Sequence, residues 1–255
     1  MNIIGVIPSR YASQRLPAKP LVDLLGKPMV QRVYEQARQS RLLSRVVVAT
    51  DDERIAQAVK SFGGEYLMTS PEIKSGSDRV AAVAVTMDGD IFVNVQGDEP
   101  LIAPEMIDEG VQLLLDDRDA EVGTLAKKIE SLDDLFNPNV VKVVMDQNNI
   151  ALYFSRSTIP FVRDEKDEKR WLQHTTFYKH FGLYVYRREF LRRYATMPEG
   201  TLEKSERLEQ LRILESGAKI KVGITTFDSI PVDTKEDVEK VVAILRRSMQ
   251  QVSVS

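Results

Sequence analysis

Four short segments gather residues able to handle phosphate, a divalent metal and a nucleoside. The first, Pro8-Ser9-Arg10-Tyr11-Ala12-Ser13-Gln14-Arg15-Leu16-Pro17-Ala18-Lys19-Pro20-Leu21, places Arg10, Arg15 and Lys19 directly after the apolar run Ile3 to Ile7. In an open parallel sheet ligands sit beyond the carboxyl ends of the strands, so cations at that point can clamp a phosphate chain. The competing reading is an ordinary basic surface loop stiffened by prolines. The second segment, Asn94-Val95-Gln96-Gly97-Asp98-Glu99-Pro100, ends another apolar run. Gly97 permits a sharp turn, after which Asp98 projects a carboxylate from the same sheet edge. Magnesium takes one or two protein carboxylates plus substrate phosphates, so a single Asp beside a phosphate clamp is chemically sufficient. An acidic turn before a helix at Pro104 would account for Glu99 but leaves Asp98 less explained. The third, Ser229-Ile230-Pro231-Val232-Asp233-Thr234, places Asp233 just before a helix cap, where it could simply favour the helix N-terminus. The fourth, Ser75-Gly76-Ser77-Asp78-Arg79, opens a helix whose amides and Arg79 could receive a base or ribose, or which Ser75 merely caps.

Composition narrows the chemistry. The chain has 255 residues, 35 Lys and Arg against 38 Asp and Glu, and a net charge of -3. Such a balance gives no basic field for nucleic acid, so an anionic ligand must meet local cations. Cysteine is absent and only His174 and His180 are present. Thiolate nucleophiles, zinc-cysteine sites and multi-histidine centres are therefore excluded, leaving carboxylates, cations and oxygen-ligated magnesium. Neither a G-x-G-x-x-G after a strand nor a G-x-x-x-x-G-K-[ST] occurs, which removes support for a dinucleotide oxidoreductase or a P-loop NTPase. The N-terminus lacks a signal-peptide pattern and no stretch reaches the roughly 20 apolar residues of a membrane span. A soluble cytoplasmic protein with no membrane partner is expected.

The elements that must position these segments follow from periodicity. Strands are predicted at Ile3–Ile7, Val46–Ala49, Tyr66–Thr69 and Ile91–Val95, alternating with helices at Met29–Ser40, Glu53–Phe62, Asp78–Val85 and Pro104–Leu115. Continuous Ile- and Val-rich strands suit a parallel sheet covered on both faces, an α/β three-layer α/β/α sandwich with a mostly parallel Rossmann-like sheet. From Glu121 strands follow one another more closely, at Val122–Lys127, Val140–Met145, Ala151–Ser155 and Gly182–Tyr186. A helix over Thr201–Ser216, a strand over Lys219–Thr225 and a closing helix over Thr234–Arg247 capped by Thr234 complete the chain. Arg163–Arg170 reads as a solvated loop. We expect one domain over residues 1–255 with a strand-rich insertion at about 151–186, where Tyr153, Phe154, Phe161, Trp171, Phe177, Tyr178 and Phe181 supply either insertion core or a dimer surface.

Taken together, the segments resemble the 3-deoxy-manno-octulosonate cytidylyltransferase family over nearly the whole chain. The likeness is carried by IPSRYASQRLPAKPL, KSGSDR, VNVQGDEPLI and NPNVVKVV, and continues through ALYFSRSTIPF, KHFGLYVYRREFL, LEKSERLEQLR and VDTKEDVEKV. The resemblance implies a nucleotide-diphospho-sugar transferase fold and a magnesium-dependent transfer of CMP from CTP to an eight-carbon 3-deoxy sugar acid of lipopolysaccharide, with two ions when CTP is bound. It implies that Arg10, Ser13 and Lys19 hold the phosphates, that Ser75, Gly76 and Arg79 lie near the nucleoside, and that Asp98 and Asp233 ligate metal. Arg10, Lys19 and Asp98 would be the catalytic set. Gln96, His180, Tyr184, Glu209 and Gln210 would line the sugar-acid pocket, with Gln96 reaching the nucleotide as well and with Arg15 and Arg156 nearby. Without the resemblance, His180 on an apolar strand reads as a core histidine. The family is a homodimer, and a related sugar acid, an 8-amino octulosonate or a sialic acid, is the alternative substrate. Two positions depart from the family pattern: Ala18 stands where glycine is usual in L-P-G-K-P, and Ser77 where threonine is usual. Alanine there adopts a positive φ only with strain.

Overall fold

The computed structural model describes residues 1–12, 16–73 and 75–252. The chain divides into two compact units, Met1–Asp108 with Asp228–Ser255, and Glu109–Phe227.

In the first unit four strands, β1 (Ile3–Ser9), β2 (Arg45–Thr50), β3 (Glu65–Met68) and β4 (Ile91–Asn94), lie parallel in the order β3-β2-β1-β4. Ile3 through Ile7 are all buried, which requires cover on both faces because alternate side chains point opposite ways. The cover comes from helices α1 (Met29–Ala37), α2 (Glu53–Ser61) and α3 (Gly76–Thr86). Asp52 caps α2 by accepting from the Arg54 amide, and Ser75 caps α3 by accepting from the Asp78 amide at 3.0 Å. Helix α4 (Pro104–Asp116) begins with Glu105 in its first turn, as its sequence suggests. A separate apolar cluster of Leu16, Leu24, Met29, Val232 and Val241 joins the loop after β1 to the closing helix.

The second unit is a mixed sheet. Strand β5 (Val122–Lys128) pairs antiparallel with β8 (Tyr178–Arg187) and parallel with β9 (Ile220–Ile224), while β6 (Lys142–Met145) pairs antiparallel with both β7 (Ala151–Ser155) and β8. Strand β8 is longer than its predicted core because Tyr178 to Phe181, despite the polar Lys179 and His180, continue the ladder against Lys128 to Leu125. Short helices α5 (Leu132–Phe136), α6 (Trp171–His174) and α7 (Arg188–Tyr194) were not foreseen, and the predicted loop at 163–170 ends in a 3-10 turn at Glu168–Arg170. Of the aromatic residues in this region, Phe154, Trp171, Phe177 and Phe181 are core, whereas Phe161 is 74% exposed.

One predicted helix is corrected. Thr201–Ser216 is two helices, α8 (Thr201–Glu206) and α9 (Gln210–Glu215), because Arg207 turns left-handed at φ 54°. The break lets the Glu206 carboxylate accept from the Ser155 hydroxyl at 2.7 Å and the Arg156 amide at 3.0 Å. Residues 235–252 form α10, and Thr234 caps it as predicted, in a reciprocal arrangement with Asp237.

Candidate active site

The parallel register decides which residues meet at the carboxyl edge of the first sheet. Ser9 lies opposite Thr50, so the chain leaves β1 at Arg10 and β2 at Asp51 side by side. Val6 lies opposite Asn94, which brings the turn after β4 level with the end of β1. There Gly97 is required, since a Cβ would stand 2.7 Å from the Pro8 carbonyl oxygen. The turn closes with the Glu99 amide donating to the Gln96 carbonyl, leaving Asp98 at its tip. The Val232 amide then donates to the Asp98 carbonyl at 2.8 Å, which sets Asp233 beside Asp98.

Both carboxylates point at one cation. Lys19 Nζ donates to Asp98 Oδ2 at 2.6 Å and to Asp233 Oδ1 at 2.9 Å. Burial disfavours the charge on Lys19, but the two carboxylates, Asp98 foremost, more than offset it and hold its pKa above the ordinary lysine value. The N-terminus of α10, which Asp233 could have served electrostatically, is already capped by Thr234, and Asp237 Oδ2 accepts from the amides of Asp233 and Thr234. Next to Asp98, Glu99 is buried; burial first and the Asp98 charge second push its carboxyl up to about 7. Lys19 itself opens a 3-10 turn preceded by Ala18 at φ 55° and ψ 30°. The loop thus takes the left-handed conformation for which the family's glycine is suited, and alanine carries the strain.

A cleft of about 230 Å³ gathers Arg10, Lys19, Ser75, Gly76, Arg79, Gln96 and Asp98 on its walls. Ser13 and Arg15 lie outside the described residues. Arg79 is fully buried: its guanidinium donates to Asp51 at 3.0 Å, to the Thr69 hydroxyl and to the Ile73 carbonyl at 3.2 Å, and burial lowers its pKa. Arg10 approaches the same Asp51 oxygen at 3.9 Å. Asp51 was not singled out from the sequence, although a carboxylate at the end of an apolar parallel strand is the same signal that identified Asp98.

The second unit holds the other candidates. His180 Nε2 lies 2.9 Å from Thr124 Oγ1, which also lies 2.7 Å from the Leu183 carbonyl. A carbonyl can only accept, so the hydroxyl gives its proton to Leu183 and accepts from Nε2–H, leaving Nδ1 as the acceptor nitrogen. Burial lowers the His180 pKa to about 3, which makes the ring neutral at physiological pH. It sits edge-on to Phe154 at 4.9 Å and 5.3 Å from Tyr184, whose pKa burial raises well above the usual value, with Glu209 among the lesser causes. Glu209 precedes α9, and Gln210, its first residue, is buried. Arg156 Nε donates to the Glu206 carbonyl at 2.7 Å and Nη1 to the Pro138 carbonyl at 3.1 Å, which ties it to the α8–α9 break. Lys142, also unforeseen, is fully buried with Nζ donating to the carbonyls of Asn137, Val140 and Arg156 at 3.0, 2.6 and 2.8 Å.

Cations, a convergent carboxylate pair and a cleft thus lie at the edge of a parallel sheet, and residues 4–220 match the family model described as cytidylyltransferase, which makes the chain a nucleotidyltransferase. The chain is 53% identical over 251 residues to the 3-deoxy-manno-octulosonate cytidylyltransferase of Geobacter metallireducens, covering 97% of this chain and 99% of that protein. It is 54% identical to the protein of the same name from Geobacter sulfurreducens, covering 96% and 100%. A solved structure of CMP:2-keto-3-deoxy-manno-octonic acid synthetase complexed with CTP superposes with a TM-score of 0.90 at 41% identity, covering 97% of this chain and 100% of that one. The chain belongs to the 3-deoxy-manno-octulosonate cytidylyltransferase family.

Proposed function

We propose that this enzyme transfers CMP from CTP to the anomeric 2-hydroxyl of 3-deoxy-manno-octulosonate, a step toward lipopolysaccharide, and that it works with magnesium in the cytoplasm as a homodimer. The observation that carries the reading is the convergence of Asp98 and Asp233 on Lys19, with Lys19 and Asp98 on the wall of a cleft that also holds Arg10. The donor set fits a metal: two carboxylate oxygens from separate segments already meet at a single positive charge, and hard oxygen donors suit magnesium. Asp98 and Asp233 would hold it, and magnesium supplies charge neutralisation on phosphate oxygens and acidifies the attacking hydroxyl.

The residues of the chain do the rest. Arg10 and Lys19 bind the phosphates and stabilise negative charge as it develops on the leaving group. A bond forms between the sugar 2-oxygen and the α-phosphorus, the bond from that phosphorus to the β-bridging oxygen breaks, pyrophosphate departs with its electron pair, and the hydroxyl proton passes to solvent. Ser75 and Gly76, at the N-terminus of α3, receive the nucleoside, and Gln96, on the wall of the same cleft, would serve both substrates. His180, neutral with Nδ1 free to accept, and Tyr184, neutral and able to donate, orient the hydroxyls of the sugar acid together with Glu209 and Gln210. Exposed Phe161, edge-on to Trp171 at 5.3 Å, supports a self-association surface, which light scattering measures. The deciding experiment is pyrophosphate release from each nucleoside triphosphate with a panel of ulosonic acids. CTP with the eight-carbon acid gives the highest kcat/KM; an equal or better rate with a nine-carbon or 8-amino acid overturns the substrate assignment.

A further inference from the structure

We infer that Lys19 is an internal counter-cation for the carboxylate pair, exchanged for metal only when nucleotide phosphates arrive, so that metal binding waits on nucleotide. The inference rests on the reading of Asp98 and Asp233 as metal ligands. The two carboxylates come from separate segments, 79 and 214 positions from Lys19, and they meet at its one ammonium. Metal–oxygen bonds of about 2.1 Å are shorter than these contacts of 2.6 and 2.9 Å, so a metal shared by both oxygens and the Lys19 ammonium compete for one gap.

Three further observations give the exchange its direction. Among the described residues no group of three or more His, Asp or Glu could hold a metal, so the pair offers too few ligands without phosphate oxygens. The backbone that carries Lys19 is fixed by the left-handed Ala18, by the Ala18 carbonyl accepting from the Leu21 amide at 2.8 Å, and by the packing of Leu16 and Leu24 on Val232 and Val241. The four-carbon stem beyond it can re-aim while the loop stays in place. Lys19 also lines the cleft with Arg10, so an ammonium released from the carboxylates has phosphate to receive it. Nucleotide therefore supplies both the missing metal ligands and the new partner for the displaced lysine. By reciprocity, metal and nucleotide each tighten the binding of the other.

The test is manganese binding to the whole protein, read by electron paramagnetic resonance of the free ion, without nucleotide and with an α,β-methylene analogue of CTP. Wild-type protein binds Mn²⁺ weakly alone and tightens when the analogue is added. Without nucleotide, Lys19→Met binds Mn²⁺ about tenfold more tightly than wild type, within the usual range of such coupling. Arg10→Met removes a neighbouring charge that pairs with Asp51 and changes the same affinity less than about twofold. Lys19→Gln, closer in polarity, repeats the Lys19→Met result should that variant fold poorly. Affinity in both Lys19 variants equal to or weaker than wild type overturns the exchange. Unchanged Mn²⁺ binding by Asp98→Asn and Asp233→Asn in the presence of the analogue overturns the ligand assignment beneath it.

Discussion

Ala18→Gly isolates the strain in the loop that presents Lys19. At φ 55° an alanine is held in a conformation that costs about 1–2 kcal/mol relative to the right-handed region, a cost glycine escapes. Glycine also frees the unfolded chain, which returns about 0.4–1 kcal/mol of that gain. The methyl group is only partly buried, so its removal leaves no core cavity. The net expectation is a stabilisation of about 0.5–1 kcal/mol, a rise in Tm of about 1–4 °C for a protein of this size. Scanning calorimetry reads the stability, and steady-state pyrophosphate release reads kcat and KM for CTP. Since the Ala18 carbonyl bond to the Leu21 amide does not involve the side chain, Lys19 keeps its place and kcat/KM for CTP changes less than about twofold. A variant less stable than wild type by more than about 0.5 kcal/mol would falsify the strain argument. It would mean that alanine is kept for contacts or chain stiffness worth more than the dihedral penalty.

Asp98→Ala, lacking one of the two carboxylates at Lys19, loses at least on the order of a hundredfold in kcat while its unfolding transition persists; near-normal turnover removes Asp98 from the reaction. Arg212→Met strands the Glu203 carboxylate, now paired at 2.7 Å in a buried site, and costs about 3–5 kcal/mol by denaturant titration; a change below 1 kcal/mol shows that the pair contributes little. His180 ties stability to acid. Above pH 6.5 the imidazole is neutral whether the chain is folded or unfolded, but below that the unfolded ring takes a proton while the folded one, with a pKa of about 3, does not. Stability therefore falls by about 2 kcal/mol between pH 8 and pH 5, and His180→Gln flattens that slope; equal slopes in the two proteins refute the burial argument.

Much of the first unit is legible in the sequence because its signals are local. Ile- and Val-rich runs mark buried strands, Ser75 marks a helix start, and the turn at Gly97 places Asp98 at the sheet edge. What escapes is what depends on distant partners. Thr201 to Ser216 is helical in periodicity throughout, and the left-handed turn at Arg207, beside a Glu206 carboxylate bonded to Ser155 and Arg156, is encoded by no local pattern. Lys142 looks like a surface charge on a strand, yet three backbone carbonyls satisfy it inside the protein. Arg79 and Asp51 are individually ordinary, and their pairing follows only from the parallel register of β1, β2 and the start of α3. Of the candidate residues, those in the cleft fall together because they all follow sheet strands. Arg156, which the resemblance sets near the sugar acid, also donates to the backbone carbonyls of Glu206 and Pro138, partners that no local pattern announces.

The first unit is assembled from residues 1–108 and 228–255, and its apolar cluster and carboxylate pair both need the second stretch. During synthesis the ribosome releases the strands β1 to β4 long before Val232 and Asp233 exist. The nascent sheet therefore waits with the loop after β1 lacking its apolar cover and with Lys19 lacking one of its two carboxylates. Contacts of such long sequence separation form late and slowly. A product of premature termination anywhere in the second unit carries every cation of the cleft and still lacks the second carboxylate. The last tenth of the chain thus completes the carboxylate pair, and an incomplete copy leaves Lys19 with Asp98 alone.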